Sequence, residues 1–234
     1  MSAQSKLWYF ESVDMYELLC PHRVAGLAER HTFTHYRKGD YVYFSDQPSR
    51  YIYLIAKGRV KIGGHTPAGK ELTKAILGKG EIFGEMALAG EESRSDYALA
   101  MDEDTAVCPM TIEDMHELMA EHKPLNMKIF KLIGFRLKKL ERRIENLIFK
   151  DARTRIVEFL LDLAEEKGQK AGFEVVVRNH YTHKDIASLT GTSRQTVTTT
   201  MNDLRDKNLI TFDRRRILYR DLEKLRHLAG HVHA

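Results

Sequence analysis

Cysteine is scarce. Two stand in the 234-residue chain, Cys20 and Cys108. They are too few for a four-thiolate cluster and too far apart for a CxxC metal site, and a single long-range disulfide does not suit a reducing compartment. No run approaches the roughly 18 uncharged apolar residues that a membrane-spanning helix needs. Met1 to Phe10 carry one lysine, no extended apolar stretch and no small-residue cleavage site, so no secretory signal is expected. Internal repeats and low-complexity tracts are absent. So are acid pairs, Ser/His/Asp sets and ligand-spaced metal clusters; the 11 histidines are scattered, His227 and the terminal His-Val-His-Ala among them. These absences argue against a membrane protein, a metalloprotein and an enzyme. They leave the expectation of a soluble, cytoplasmic chain.

Apolar residues make up 43% and charged residues 30% of the chain, enough to bury a real core, and the length is comfortable for two domains. The net charge is only +4, but it is unevenly placed. Residues 1–133 hold 16 Lys and Arg against 19 Asp and Glu, whereas residues 134–234 hold 21 against 14. A basic C-terminal part suits an anion-binding module, because each phosphate contact needs a cation to replace released counterions.

Three textures follow one another. Up to about residue 110, short β-rich runs (Tyr41–Phe44, Tyr51–Ile55, Arg59–Ile62, Thr73–Leu77) alternate with glycine-bearing turns, a pattern for an antiparallel barrel or jelly roll. Ahead of it, Met15 to Glu29 read as one or two short helices. From Thr111 the period becomes helical, opening on a capping box with Asp114. Pro124 then begins or restarts a long helix to about Lys150. Within it Phe130, Ile133, Leu137, Leu140, Ile144 and Leu147 form an a/d seam over about two and a half heptads. Pairing with a second copy of the helix suits a seam this long, and in a parallel pair Arg136 would meet Glu141 of the other copy. From Asp151 a small helical domain follows, with a helix over Arg155–Glu166 ending at Gly168, a strand over Phe173–Val177 and a hairpin over Leu209–Tyr219.

Tyr181 to Leu204 is the most informative stretch. Thr182 with Asp185 caps a first helix, Gly191 makes a left-handed turn, and a second helix runs from Ser193 to Asp206. Ile186, Leu189, Val197, Met201 and Leu204 would face inward. Arg194, Gln195, Thr198 and Thr199 are left outward at the start of the second helix, where a recognition helix touches bases. Arginine can bond guanine O6/N7 bidentately, glutamine adenine N6/N7, and threonine offers a hydroxyl or a methyl. Arg214, Arg215 and Arg216 at the tip of the following hairpin would lie over phosphates as a wing.

Gly80-Glu-Ile-Phe-Gly-Glu-Met-Ala-Leu88, Phe149-Lys-Asp151 leading into Arg155-Ile156, and Thr192-Ser-Arg-Gln-Thr-Val197 together resemble the bacterial catabolite-activator/fumarate-and-nitrate-reduction (CRP/FNR) superfamily over nearly the whole chain. The resemblance implies an α+β protein: a β-roll (jelly roll) sensor of cyclic-nucleotide-binding type over 1–123, a dimerisation helix over 124–150 and a winged helix-turn-helix over 151–234. It implies a homodimeric regulator of transcription on near-palindromic double-stranded DNA, with RNA polymerase as a further partner. Carried over by position, Arg194 reads guanine, and Ser193, Thr196 and Thr182 bond the DNA backbone. Gln195 stands where the family often has glutamate and Thr199 where it often has arginine, so the half-site need not be the usual one.

Phe83 to Leu88 followed by Arg94-Ser95 looks like the phosphate-binding cassette of cyclic-nucleotide domains. By that resemblance Gly84 lets the backbone approach, the amides of the turn at 85–87, Met86 among them, face an anion, Glu85 accepts a ribose hydroxyl, and Arg94 and Ser95 hold phosphate. The effector stays open: a cyclic or other phosphorylated nucleotide, another small molecule, or none, with Arg94 paired to an acid. Leu140 and Glu141 occupy the positions of the family's adenine-contacting Thr-Ser pair, which weighs against cyclic AMP. An iron–sulfur cluster is excluded by the cysteine count, and haem lacks a cysteine in the cassette. A nucleotide-responsive scaffold without DNA contact is the competing reading.

Overall fold

The computed structural model describes Met15, Leu19 and residues 32–66, 69, 71–178, 181–213 and 215–230. The helices expected between Met15 and Glu29 lie outside the described residues except for Met15 and Leu19, both fully buried; Cys20 lies outside them as well. The chain divides into two compact units, Met1–Leu137 and Lys138–Ala234.

The first unit is a β-roll. Its strands are β1 (Thr34–Tyr36), β2 (Tyr41–Tyr43), β3 (Tyr51–Lys57), β4 (Val60–His65), β5 (Glu71–Leu77), β6 (Ile82–Phe83), β7 (Tyr97–Ala100) and β8 (Thr105–Thr111). They form two four-stranded antiparallel sheets, ordered β1-β8-β3-β6 and β2-β7-β4-β5. Tyr43, Tyr53, Ile55, Val60, Ile62, Phe83, Ala98 and Val107 pack into one core. Strand β3 is apolar on both faces, which is why Ile52 to Ile55 read as a continuous run rather than an alternation. Its other face, Ile52 and Leu54, packs with Cys108 and Met110 of β8 and with two helices. These are α1 (Ile112–Glu121), opened by the Thr111/Asp114 capping box, and the start of α2 (Lys123–Phe149). Leu125, Ile129 and Leu132 are the buried stripe of α2. Each such side chain contributes about 1.5–3 kcal/mol by leaving water.

The second unit begins within α2. Asp151 caps α3 (Ala152–Lys167) by accepting from the Thr154 amide (2.8 Å). Strands β9 (Gln169–Ala171) and β10 (Glu174–Arg178) follow, then α4 (His183–Thr190), α5 (Arg194–Asp206), β11 (Ile210–Phe212), β12 (Arg216–Tyr219) and α6 (Leu222–Leu228). The sheet order is β11-β12-β10-β9. The strand expected to start at Phe173 starts at Glu174 instead. Gly172 adopts a left-handed φ of 65°, turning the chain from β9 into β10 and leaving Phe173 fully exposed at the tip. Ile156, Val157, Leu160, Val177, Ile186, Val197, Met201, Leu204, Ile217 and Tyr219 form the core. Leu189, expected with them, is half-buried.

Along α3 and the end of α2 the contacts are ionic. Lys150 pairs with the buried Glu158, Arg142 with Asp162 (3.4 Å) and Lys139 with Glu166 (3.9 Å). Burial pushes the Asp162 carboxyl up to about 6, and Glu158, Glu166 and Glu165 push the same way against Arg142. A carboxyl raised above the ordinary 3.8 binds its proton more tightly in the folded than in the unfolded chain. The stability tied to this group is therefore present in acid and is lost as pH rises through about 6. Asp162→Asn keeps an oxygen for Arg142 but cannot ionise. The second unit of this variant is expected to melt higher than wild type at neutral pH, with the difference closing as pH falls from about 6 to about 4. Scanning calorimetry of the full chain across that range checks it; a variant less stable than wild type at neutral pH would show that the ion pair outweighs the burial.

Candidate functional site

The helix-turn-helix is assembled by short-range chemistry at three points. At the start of α4 the Thr182 hydroxyl accepts from the Asp185 amide (3.1 Å), and the Asp185 carboxylate accepts from the Thr182 amide (3.0 Å). At its end Gly191 takes φ 63°, and a Cβ there would come within 2.6 Å of the Leu147 side chain on α2. Ser193 caps α5 by accepting from the Thr196 amide (3.0 Å). Val197, Thr200, Met201 and Leu204 are the buried face of α5. Ser193, Arg194, Gln195 and Thr199 are exposed, as is Thr182, and Thr196 is half-buried.

Thr198 stands differently from the expectation of an outward base contact. It is half-buried, its hydroxyl donates to the Arg194 carbonyl (2.9 Å), and the same oxygen lies 2.9 Å from His183 Nδ1. One turn of helical spacing explains this, since a threonine hydroxyl on a helix reaches the carbonyl four residues back.

In the wing, Asp213 accepts from the Arg215 amide (2.7 Å), the Arg216 amide (2.9 Å) and Arg216 Nε (3.0 Å). These bonds, the Arg215 amide first, hold its carboxyl below the usual range. Arg216 is thus tied back to its own turn, Arg215 is exposed, and Arg214 lies outside the described residues.

Two arginines that sequence reading did not assign hold this surface together. Arg155 Nε donates to the Thr190 carbonyl (2.8 Å) and Nη2 to that of Gly191 (3.1 Å), while Nη1 donates to the Lys150 carbonyl (2.6 Å). Arg143 Nη2 donates to the Ser188 carbonyl (2.6 Å), and burial lowers its pKa. Both satisfy carbonyls at the C-terminal end of α4, where a helix leaves acceptors without internal partners. Arg155 stood inside a recognised motif, but backbone acceptors leave no residue signature that would have disclosed its role.

In the β-roll, Gly84 has φ 76° and precedes a tight helical turn over Glu85–Ala89. A Cβ on Gly84 would approach Arg94 Nη1 to 2.9 Å and the Tyr51 carbonyl to 3.0 Å. Arg94 is 2% exposed. It donates to the Gly84 carbonyl (3.1 Å) and the Tyr51 carbonyl, pairs with Glu91 (3.7 Å) and lies 4.6 Å over the Tyr43 ring. Glu91 also accepts from the hydroxyls of Ser95 (3.0 Å) and Ser49 (3.1 Å). Burial, then the facing Asp96 carboxylate, pushes the Tyr43 hydroxyl up. Glu85 pairs with Arg136, which also donates to the Ile82 carbonyl (2.6 Å). Met86 is exposed. The structure thus brings Gly84, Glu85, Arg94 and Ser95 together and gives each charged member a protein partner. Arg136, expected to meet Glu141 of a second copy, continues the buried stripe of Leu125, Ile129 and Leu132 and so turns toward the roll.

Among the described residues the seam of α2 is about half exposed or more, with Leu147 lying against Gly191. Phe130 is 77% exposed, Ile133 49%, Leu137 and Leu140 56%, Ile144 58% and Leu147 46%. No helix among the described residues is long and apolar enough to cross a membrane.

The Cyclic nucleotide-binding domain family matches residues 33–122, and the Crp-like helix-turn-helix domain family matches residues 154–228. The chain is 31% identical over 175 residues to the Cyclic AMP receptor protein of Thermus thermophilus, covering 75% of this chain and 77% of that one. It is 28% identical over 205 residues to a CRP-like cAMP-activated global transcriptional regulator of Mycobacterium tuberculosis, covering 88% and 91%. A solved structure of a CooA mutant from Carboxydothermus hydrogenoformans superposes with a TM-score of 0.81 at 27% identity, covering 95% of this chain and 98% of that one. With a β-roll of cyclic-nucleotide-binding type followed by a winged helix-turn-helix, the chain belongs to the CRP/FNR family of DNA-binding transcription regulators.

Proposed function

We propose that the chain acts as a homodimer, paired in parallel through the α2 seam, that reads a near-palindromic operator with one α5 per half-site. The observation that carries this reading is the exposed row of Arg194, Gln195 and Thr199 on the first turns of α5, beside the wing and within the basic half of the chain. Arg194 would take guanine, Gln195 and Thr199 the neighbouring base edges, and Ser193, Thr196, Thr182 and Arg215 the phosphates. The Thr198 hydroxyl, already engaged, is left out of base reading. The exposed apolar side chains of Phe130, Ile133, Leu137, Leu140 and Ile144 on one helical stripe support the pairing, because a second helix laid on such a seam takes them out of water. RNA polymerase is the partner such a protein would meet at a promoter, in the cytoplasm.

Selection of a binding site from random duplex DNA, followed by mutants on the selected site, tests the reading. Arg194→Ala is expected to relax preference at one base pair per half-site and to cost about 1–3 kcal/mol. Arg215→Ala should weaken all sequences alike and flatten the salt dependence. Leu140→Glu, which puts a carboxylate in the seam, should give monomers by light scattering and abolish binding; a dimer of unchanged stability would remove the seam from the interface.

A second reading concerns the effector. The relatives named for cyclic AMP suggest a phosphorylated ligand on Gly84, Glu85, Met86, Arg94 and Ser95, yet Arg94 and Glu85 are both neutralised within the protein. We therefore read Arg94 first as the residue that closes the cassette onto β3. A phosphate would have to displace Glu91 to use it, which sets a desolvation cost against affinity. Arg94→Gln should lower the melting temperature of the β-roll without ligand, because it strips partners from two carbonyls and a carboxylate. Calorimetric titration of cyclic AMP into wild type should give weak binding; tight binding would show that Glu91 yields readily.

A further inference from the structure

His183, the first residue of α4, belongs to no role assigned above. Its ring is half-buried where α4, α5 and β11 meet, with the Phe212 ring centroid 6.1 Å away. The Thr198 hydroxyl settles the state of Nδ1. A hydroxyl has one hydrogen, and Thr198 gives its own to the Arg194 carbonyl; its oxygen therefore accepts from His183, and the ring proton sits on Nδ1. Nε2 is then the nitrogen that titrates, and among the described residues it has no protein partner.

From α5 the charged group facing the ring is Arg194. On its own helix stand the exposed Lys184 and Asp185, whose carboxylate is held in the Thr182 capping box. Among the described residues, β11 contributes the uncharged Phe212. Burial first, and Arg194 second, pull the His183 pKa below 6.5, which favours the neutral ring in the free protein.

DNA bound as proposed above would offset the Arg194 influence and set phosphate charge against the burial. Arg194 becomes paired with a base edge, and phosphates beside the exposed Thr182 and Ser193 bring negative charge within a Debye length. We infer that His183 takes a proton from solvent onto Nε2 as DNA docks and donates it to a backbone phosphate oxygen, a proton-linked contact beside Thr182. The inference rests on the DNA reading of α5 proposed above. Nδ1 keeps its bond to Thr198 in either charge state, so protonation changes the charge of the surface without moving the recognition helix.

The test measures anisotropy of a fluorescent duplex carrying the site that the full-length protein selects from random DNA, between about pH 5.5 and 8. Wild-type affinity is expected to fall as pH rises, by up to about tenfold per pH unit for each protomer. His183→Gln and His183→Asn, neither of which titrates, should bind with a flatter profile and lose the greater affinity seen in acid. Independently of any variant, the His183 ring pKa followed by NMR in the wild type should rise when DNA is added. A ring pKa unchanged by DNA, or variant profiles as steep as wild type, overturns the inference. Failure of wild type to bind any duplex at any pH overturns the DNA reading beneath it, whereas pH-independent binding overturns the role of His183 alone.

Discussion

The 3.6-residue period of α2 puts Leu125, Ile129, Leu132 and Arg136 on one stripe and the seam from Phe130 to Leu147 on another, set off by about one residue step, or roughly 100°. The first stripe is covered by the β-roll, and Phe130, Ile133 and Leu137 of the second are exposed among the described residues. Arg136 closes the covered stripe by pairing with Glu85 of the cassette, one residue from the seam residue Leu137. The cassette is thus tied through one side chain to the turn of α2 that carries Leu137.

The two charged groups expected to meet a ligand are instead satisfied by the protein. An unpaired guanidinium as buried as Arg94 would carry a large desolvation penalty. Two carbonyls, Glu91 and the Tyr43 ring remove it. The same contacts explain Gly84, since any Cβ would strike the Arg94 guanidinium and the Tyr51 carbonyl. Glycine and arginine in this motif therefore have a folding reason that holds whether or not an effector binds.

In the second unit charge does the holding as well. Arg143 and Arg155 fasten the end of α4 by hydrogen bonds to its carbonyls, and Lys139, Arg142 and Lys150 pair with acids on α3. Charged hydrogen bonds of this kind are directional, so they fix the orientation of a short helix that offers little apolar area of its own. Within this network, burial opposes the ionisation of Asp162 and Arg142 favours it.

The sequence by itself determined the elements and their order. The seam, the capping boxes at Thr111 and Thr182, the Gly191 turn and the basic second half all follow from local pattern, because periodicity and side-chain capping are written in residue types. Most of the expected inward face, Ile186, Val197, Met201 and Leu204, is buried for the same reason. What only the tertiary structure decided is which groups are already spoken for. Arg94 closes onto carbonyls and Glu91, Arg136 turns to Glu85, Thr198 is held by His183, and Arg155 binds the turn at Thr190 and Gly191. Most of these partners are backbone carbonyls or residues distant in the chain. Every residue carries a carbonyl, so its use leaves no trace in the sequence, and folding alone brings it within reach.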